Sequence, residues 1–258
     1  MTHETITVTH AADVATIALN RPAVMNALSR AMRTDLGAAL RDAQTTARCI
    51  VLTGTGPAFC SGQDLVDAQA LGALDFEAVL RDEYEPLLDL IVNSPVPTIA
   101  AVNGAAAGAG ANLALACDVV IACESASFIQ AFTRIGLIPD AGGTYWLPRQ
   151  VGMARALGAT LFAEKVTARQ AADWGMIWEA VPDADFAAHV AARAGQLARG
   201  PGVAYRALKQ AMRASSANDL PAQLALEARL QGECGRTEDV REGVAAFLGK
   251  RAPVFRGR

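Results

Sequence analysis

Apolar positions follow two rhythms along the chain. In the first half, short β-forming runs alternate with helical periodicity. Ile6-Thr-Val8 and Val14-Ala-Thr-Ile-Ala-Leu19 predict a strand pair, ended by Asn20-Arg-Pro22. Ser29 predicts the cap of a helix over 30–44, with Met32, Leu36 and Leu40 on one face. Cys49-Ile-Val-Leu52 is a buried strand closed by Gly54-Thr-Gly-Pro57, and a helix is expected over 76–93 from Val79, Leu80, Tyr84, Leu87, Leu88 and Ile91. Thr98-Ile-Ala-Ala-Val102 and Val119-Val-Ile-Ala122 are further buried strands. The rhythm is strand, strand, helix, without a visible sequence repeat.

The second half turns helical. Thr167-x-x-Gln170 reads as a capping box and Gly175 as the stop of that helix. Further helices are expected over 183–199, ended by Gly200-Pro201, and over 202–214, 220–234 and 238–248. The pattern predicts an α/β core over 1–198 and a C-terminal helical region over 199–258. That region has many apolar faces for its size, which suggests subunit packing.

Composition narrows the function classes. The 258 residues are 52% apolar and 19% charged, as in a globular protein with a sizeable core. A net charge of −3 argues against general nucleic-acid binding. The densest basic cluster is the tail, Lys250, Arg251, Arg256 and Arg258, which also fits a solvated terminus. Five scattered cysteines with no CxxC spacing suggest reduced thiols and a cytoplasmic setting. The first ten residues lack a signal-peptide pattern, and the apolar stretch over 97–123 is broken by Asn103, Asn112, Asp118 and glycines, so no membrane span is expected.

Candidate chemistry centres on Asp140, the one carboxylate in Gly136-Leu-Ile-Pro-Asp-Ala-Gly-Gly-Thr144. Loss of hydration in an apolar loop raises a carboxyl pKa toward the range useful for moving protons. The same residue could equally hydrogen-bond loop amides or cap the helix starting near Gly143. Two small-residue segments could offer backbone amides to a ligand: Phe59-Cys-Ser-Gly-Gln-Asp64, and Asn103-Gly-Ala-Ala-Ala-Gly-Ala-Gly-Ala-Asn112 leading into a helix. Close helix packing explains the same glycines. Their order fits neither a dinucleotide fingerprint nor a phosphate loop. His3, His10 and His189 lie apart, no Gly-x-Ser-x-Gly occurs, and no metal-ligand cluster is visible. Asp64 reads as a cap, Asp118 as structural, and Trp174 with Trp178 as core packing.

Ser61-Gly-Gln-Asp64, Ala101-Val-Asn-Gly104 with its Gly/Ala run, Cys117-Asp118, and Gly136-Leu-Ile-Pro139 with Gly142-Gly143 resemble the enoyl-CoA hydratase/isomerase (crotonase) superfamily. The resemblance runs from Leu19-Asn-Arg-Pro22 to Glu242-Gly-Val-Ala-Ala-Phe247. It implies a spiral of strand-strand-helix turns, a helical trimerisation region, and a homotrimer or dimer of trimers. It also implies an acyl-CoA thioester substrate, with no cofactor beyond the coenzyme A of the substrate itself. By motif position, the thioester oxyanion is held by the main-chain N–H groups of Gln63 and Ala109. Val66, Asn112, Ile129 and Phe132 fall at the acyl pocket. Arg21, Ala23, Val24 and Ser61 fall near coenzyme A, and Phe247 and Lys250 where they reach a neighbouring subunit's ligand.

The departures from the family pattern are informative. Hydratases of the family carry two glutamates that clamp a water, and this chain has Asn112 and Phe132 there. Asp140 stands where hydratases generally have glycine. That pattern resembles the isomerase branch, particularly the 1,2-epoxyphenylacetyl-CoA isomerases, through Gln130-Ala-Phe-Thr-Arg-Ile-Gly-Leu-Ile-Pro-Asp140 and Trp174-Gly-Met-Ile-Trp178. The implied activity moves a double bond from 3-enoyl-CoA to 2-enoyl-CoA, or expands the ring epoxide to an oxepin. A single acid/base group, Asp140, suits either. The rival expectations are a hydratase with an atypical water site and a catalytically weak scaffold that binds a pathway partner.

Overall fold

The computed structural model describes residues 3–66 and 75–258. Strand β1 (Ile6–Ala11) turns back on β2 (Val14–Leu19) with Ile6 opposite Leu19 and Ala11 opposite Val14. The two-residue turn places Ala12 and Asp13 at positive φ, as the twist of a tight hairpin demands. Along β2, Ala15, Ile17 and Leu19 alternate inward, so one face enters the core.

From β2 the chain winds as a spiral. Strands β3 (Cys49–Gly54), β5 (Thr98–Val102) and β7 (Val119–Cys123) add in parallel to a six-stranded sheet ordered β1-β2-β3-β5-β7-β10, where β10 is Glu179–Val181. Each of those three strands is followed by a short strand of a second sheet: β4 (Ala58–Cys60), β6 (Ala105–Ala107) and β8 (Ser127–Ile129), closed by β9 (Val166–Thr167). The apolar side chains between the sheets and helices form one large core that includes Leu28, Leu52, Phe59, Val102, Leu113 and Phe128.

The expected helices are present, with small shifts of their ends. Helix α1 is Arg30–Thr46, and Ser29 accepts the Met32 amide. The helix expected over 76–93 is α2 (Phe76–Val79), a π-helical turn over Leu80–Tyr84, and α3 (Glu85–Val92). The glycine-rich run enters α4 (Ala109–Leu115). Downstream lie α5 (Gly143–Val151), α6 (Met153–Leu161) and α7 (Ala168–Asp173), the last with the expected Thr167–Gln170 capping box. Helix α8 (Phe186–Ala198) covers the outer face of the large sheet, setting Val190, Ala194 and Ala198 against Val51, Ile99 and Ile121.

The C-terminal helices are α9 (Gly202–Ala214), α10 (Leu220–Cys234) and α11 (Glu238–Leu248). Asp118 bears out its structural role by tying α9 to the sheet. Its carboxylate accepts the Thr98 amide at 2.8 Å and pairs with Lys209 and Arg213 at 2.7 Å each. One expectation changes. Trp178 is 68% exposed, because it leads into the edge strand β10 instead of the core, while Trp174 is half-buried with the Arg155 guanidinium over its ring. In the exposed tail, Arg251 pairs with Glu242, Arg258 pairs with Glu238, and Asp239 accepts the amides of Arg256 and Gly257. Among the described residues, no helix is long and apolar enough to cross a membrane.

Candidate active site

Asp140 lies in the loop between a 3-10 turn (Ala131–Ile135) and α5. Its main-chain carbonyl is gripped twice, by the Gly143 amide at 2.8 Å and by Asn112 Nδ2 at 2.8 Å. Asn112 is 0% exposed, and its own oxygen accepts from Gln130 Nε2 at 2.8 Å. A Cβ on Gly143 would lie 2.4 Å from Asn112 Nδ2, so only glycine lets α5 approach that side chain. The loop is therefore fixed through its backbone.

Among the described residues, the carboxylate is bonded by its own backbone N–H, a loop amide, and by no other residue's amide. Asp140 Oδ1 is buried without a hydrogen-bond partner, and α5 has no side-chain cap at its N-terminus. The capping alternative therefore does not describe this residue. Burial pushes the Asp140 carboxyl from 3.8 up to about 6, opposed only in part by its own backbone N–H. A group near that value can both take and return a proton close to neutrality.

Gln63 and Ala109 come from two turns in direct contact. Leu28 makes an isolated parallel bridge with Gln63: the Leu28 amide donates to the Gly62 carbonyl at 2.8 Å, and the Leu28 carbonyl accepts from Asp64 at 3.3 Å. In such a bridge the N–H of Gln63 points away from Leu28. Gly62 has φ +93°, and a Cβ there would lie 2.8 Å from the Ala107 oxygen and 3.3 Å from the Ala109 nitrogen. Ala109 is the first residue of α4, where an amide has no intrahelical acceptor. Gly110 answers to the packing explanation, since its Cβ would fall 2.4 Å from the Cys60 carbonyl oxygen.

The remaining expected residues separate into groups. The buried Phe132 ring stands beside Gly108, the residue before Ala109, 3.6 Å from where its Cβ would be. Ile129 ends β8 and its carbonyl accepts the Gly108 amide. Val66 is 78% exposed, and its amide donates to Asp64 Oδ1 at 3.1 Å, the cap expected of Asp64. The rest of the variable stretch over 65–84 lies partly outside the described residues, at 67–74.

Arg21, Ala23, Val24 and Ser61 cluster. Ser61 donates its amide to Met25 and its hydroxyl to the Val24 carbonyl, and Ala23 and Val24 are exposed. Arg21 spends its guanidinium on Asp64 Oδ2 at 2.8 Å and the Ala27 carbonyl at 2.7 Å. Phe247 and Lys250 sit apart, exposed near the end of α11. Phe247 borders a hollow of about 1040 Å³ between α9, α10 and α11, lined by such side chains as Leu208, Met212, Leu224 and Val244.

Three side chains near Gln63 escaped the sequence reading: Arg33, Glu83 and Tyr84. Arg33 looked like an ordinary polar helix position, and Tyr84 like one member of an apolar stripe. Nothing in the local pattern marks a polar partner that arrives from 50 residues away.

The family profile for enoyl-CoA hydratase/isomerase matches residues 9–258. This chain belongs to the enoyl-CoA hydratase/isomerase family. A Rhodobacter capsulatus protein named "Probable enoyl-CoA hydratase" is 65% identical over 258 residues, covering 100% of both chains. The Escherichia coli 1,2-epoxyphenylacetyl-CoA isomerase is 45% identical over 250 residues, covering 95% of each. The crystal structure of an enoyl-CoA hydratase from Polaromonas sp. JS666 superposes with a TM-score of 0.92 at 34% identity, covering 97% of this chain and 99% of that one. The spiral is thus the crotonase-like fold of the hydratase/isomerase family, and the chain is an enzyme of that family. The expected special likeness to the epoxide isomerases is corrected in one respect: a relative named for hydration is more similar in sequence.

Proposed function

We propose that this family member is an acyl-CoA isomerase that uses Asp140 as its single acid/base group. The observation that carries this reading is the buried, unpartnered carboxylate oxygen of Asp140, with its pKa raised to about 6. Asn112, in place of one of the family's water-holding acids, instead grips the Asp140 carbonyl. Phe132, in place of the other, puts a buried phenyl ring beside Gly108. Neither group can activate water as a base.

In the proposed reaction the N–H groups of Gln63 and Ala109 donate to the thioester oxygen. Such donors stabilise a developing oxyanion by about 3 kcal/mol each. Asp140 takes a proton from C2 of a 3-enoyl-CoA, and the bonding electrons move toward the thioester carbonyl. The proton returns at C4, which leaves the double bond between C2 and C3. With ring-1,2-epoxyphenylacetyl-CoA the same enolate would drive ring expansion to oxepin-CoA. Val66, Ile129 and Phe132 would border the acyl group. Arg21, Ala23, Val24 and Ser61 would run along coenzyme A, Arg21 by its fixed backbone. The apolar faces of α9, α10 and α11 suit packing against further copies in a trimer or dimer of trimers, bringing Phe247 and Lys250 to a neighbour's ligand.

The test is turnover of 3-hexenoyl-CoA, set beside the phenylacetyl-CoA epoxide. Asp140→Asn should abolish double-bond migration while coenzyme A binding survives, and full turnover in that variant would sink the mechanism. A second reading, hydration, is favoured by the 65% identity to the Rhodobacter capsulatus protein. Crotonyl-CoA separates the two: hydration would bleach its conjugated thioester absorbance, whereas the isomerase should leave it standing.

A further inference from the structure

We infer that Arg33 and Tyr84 are positioning residues, which clamp Gln63 so that its main-chain N–H keeps a fixed direction toward the thioester oxygen. The inference deepens the proposed function and rests on its assignment of that amide. Gln63 follows Gly62, whose φ of +93° lies in a region that glycine enters freely. The intervening peptide plane is therefore held from outside, by the Leu28 amide on the Gly62 carbonyl at 2.8 Å, and whatever fixes Leu28 and the Gln63 side chain fixes that plane further.

The neighbours are a buried polar cluster. Arg33, on α1, is 4% exposed, a rare and costly location for a guanidinium without partners. Its Nη1 donates to the Leu28 carbonyl at 2.6 Å and to Gln63 Oε1 at 3.0 Å. Leu28 is the bridge partner of Gln63, so one nitrogen secures both the backbone behind Gln63 and its side chain. The Tyr84 hydroxyl donates to the same Gln63 oxygen at 2.6 Å. Glu83 Oε2 holds the other side of the guanidinium, at 2.9 Å from Nε and 2.6 Å from Nη2. The Arg33 guanidinium also lies 5.0 Å from the centroid of the Tyr84 ring.

Glu83 and Tyr84 close the π-helical turn Leu80–Tyr84. Such turns are uncommon and recur at functional sites, because one extra residue redirects the side chains that follow. Tyr84 is 3% exposed, and its hydroxyl pKa is raised first by burial and further by the charge of Asp140. The clamp thus stands within electrostatic range of the acid/base group while its own polar atoms are committed to Gln63. Mere glue between α1 and the π turn would need the Arg33–Glu83 pair, but not two donors converging on one amide oxygen of the turn beyond.

The test separates positioning from stability. Acetoacetyl-CoA enolises when bound beside oxyanion donors, and its enolate absorbs in the near ultraviolet. Titrating this band against pH, in an Asp140→Asn background, gives the pKa of the bound ligand without any proton transfer by Asp140. Tyr84→Phe and Gln63→Ala should each raise that value. In the otherwise native enzyme each should lower kcat for double-bond migration about 3- to 10-fold, with KM changed less than about twofold. The double variant should be no worse than Gln63→Ala, because both act through one side chain. Arg33→Met should repeat the effect, and Arg33→Lys should restore part of it. An unchanged bound-ligand pKa with only a lower melting temperature would overturn the inference, as would additive losses in the double variant. Full turnover by Asp140→Asn would remove the isomerase reading but leave the pKa test of the clamp intact.

Discussion

Replacing Asp140 by asparagine should cost the enzyme its turnover and make the protein more stable at pH 8. The carboxyl rises from 3.8 to about 6 on folding, so the folded chain disfavours the ionised form. At about 1.4 kcal/mol per tenfold change in proton affinity, that difference is worth up to about 3 kcal/mol. Partial solvent access lowers it, and about 1–3 kcal/mol is the working range. The sign follows from linkage: protonating Asp140 favours the folded state, an advantage fully present below pH 3.8 and lost as pH rises through about 6. Asparagine resembles the protonated side chain at every pH. Its gain should therefore be complete at pH 8, fall to about half at pH 5, and fade further into acid. In a chain of this size that corresponds to roughly 2–8 °C in melting temperature. Equilibrium urea denaturation of both proteins at pH 8 and pH 5, beside turnover of 3-hexenoyl-CoA, checks it. A variant no more stable at pH 8, or a gap that ignores pH, would refute the claim that this carboxylate is held desolvated at the expense of the fold.

The remaining expectations concern the same site and its supports. With Asp140 as the base, kcat/KM should climb tenfold per pH unit up to about 6 and level off above it; a flat profile between about pH 5 and 7 would remove Asp140 from that role. Asn112→Ala leaves Gln130 Nε2 without its acceptor and takes one of two donors from the Asp140 carbonyl. It should cost about 1–3 kcal/mol in denaturation and lower kcat. Gly110→Ala drives a methyl against the Cys60 carbonyl and should destabilise by at least about 1–3 kcal/mol, seen in a thermal melt. Asp118→Ala strips Lys209 and Arg213 of their shared partner and should cost about 3–5 kcal/mol, while the pH profile of surviving activity stays put.

Much of the spiral is legible because its boundaries are written in short-range chemistry. Ser29 and Thr167 cap as expected, and α9, α10 and α11 begin and end where their expected ranges do. The π turn is not legible, since its extra residue leaves the apolar stripe of Leu80, Tyr84, Leu87 and Ile91 nearly unchanged. Arg33 escapes notice for a related reason: its burial is compensated by Glu83 and Gln63, both far along the chain. Asp140 stands out by its isolation in an apolar loop. The use of Asn112 to hold that loop is invisible, because a side chain bonded to a distant carbonyl leaves no periodicity. Trp178 misleads because aromatic residues are usually taken as core, whereas here one stands exposed just before an edge strand.

The meeting of Gly62 with Ala107 and Ala109 has a consequence for how such an enzyme can change. Because atoms of the two turns touch, the spacing of the two proposed donors is set by van der Waals radii and not by loop length. The part that would polarise the thioester behaves as one welded joint. The stretch that would meet the acyl chain lies between its two halves in sequence. Exchanging residues 65–79 with those of a relative, while sparing Glu83 and Tyr84, should therefore shift acyl preference and leave the pKa of a bound enol where it was. On the proposed mechanism, acyl preference and oxyanion stabilisation would then vary independently on this scaffold.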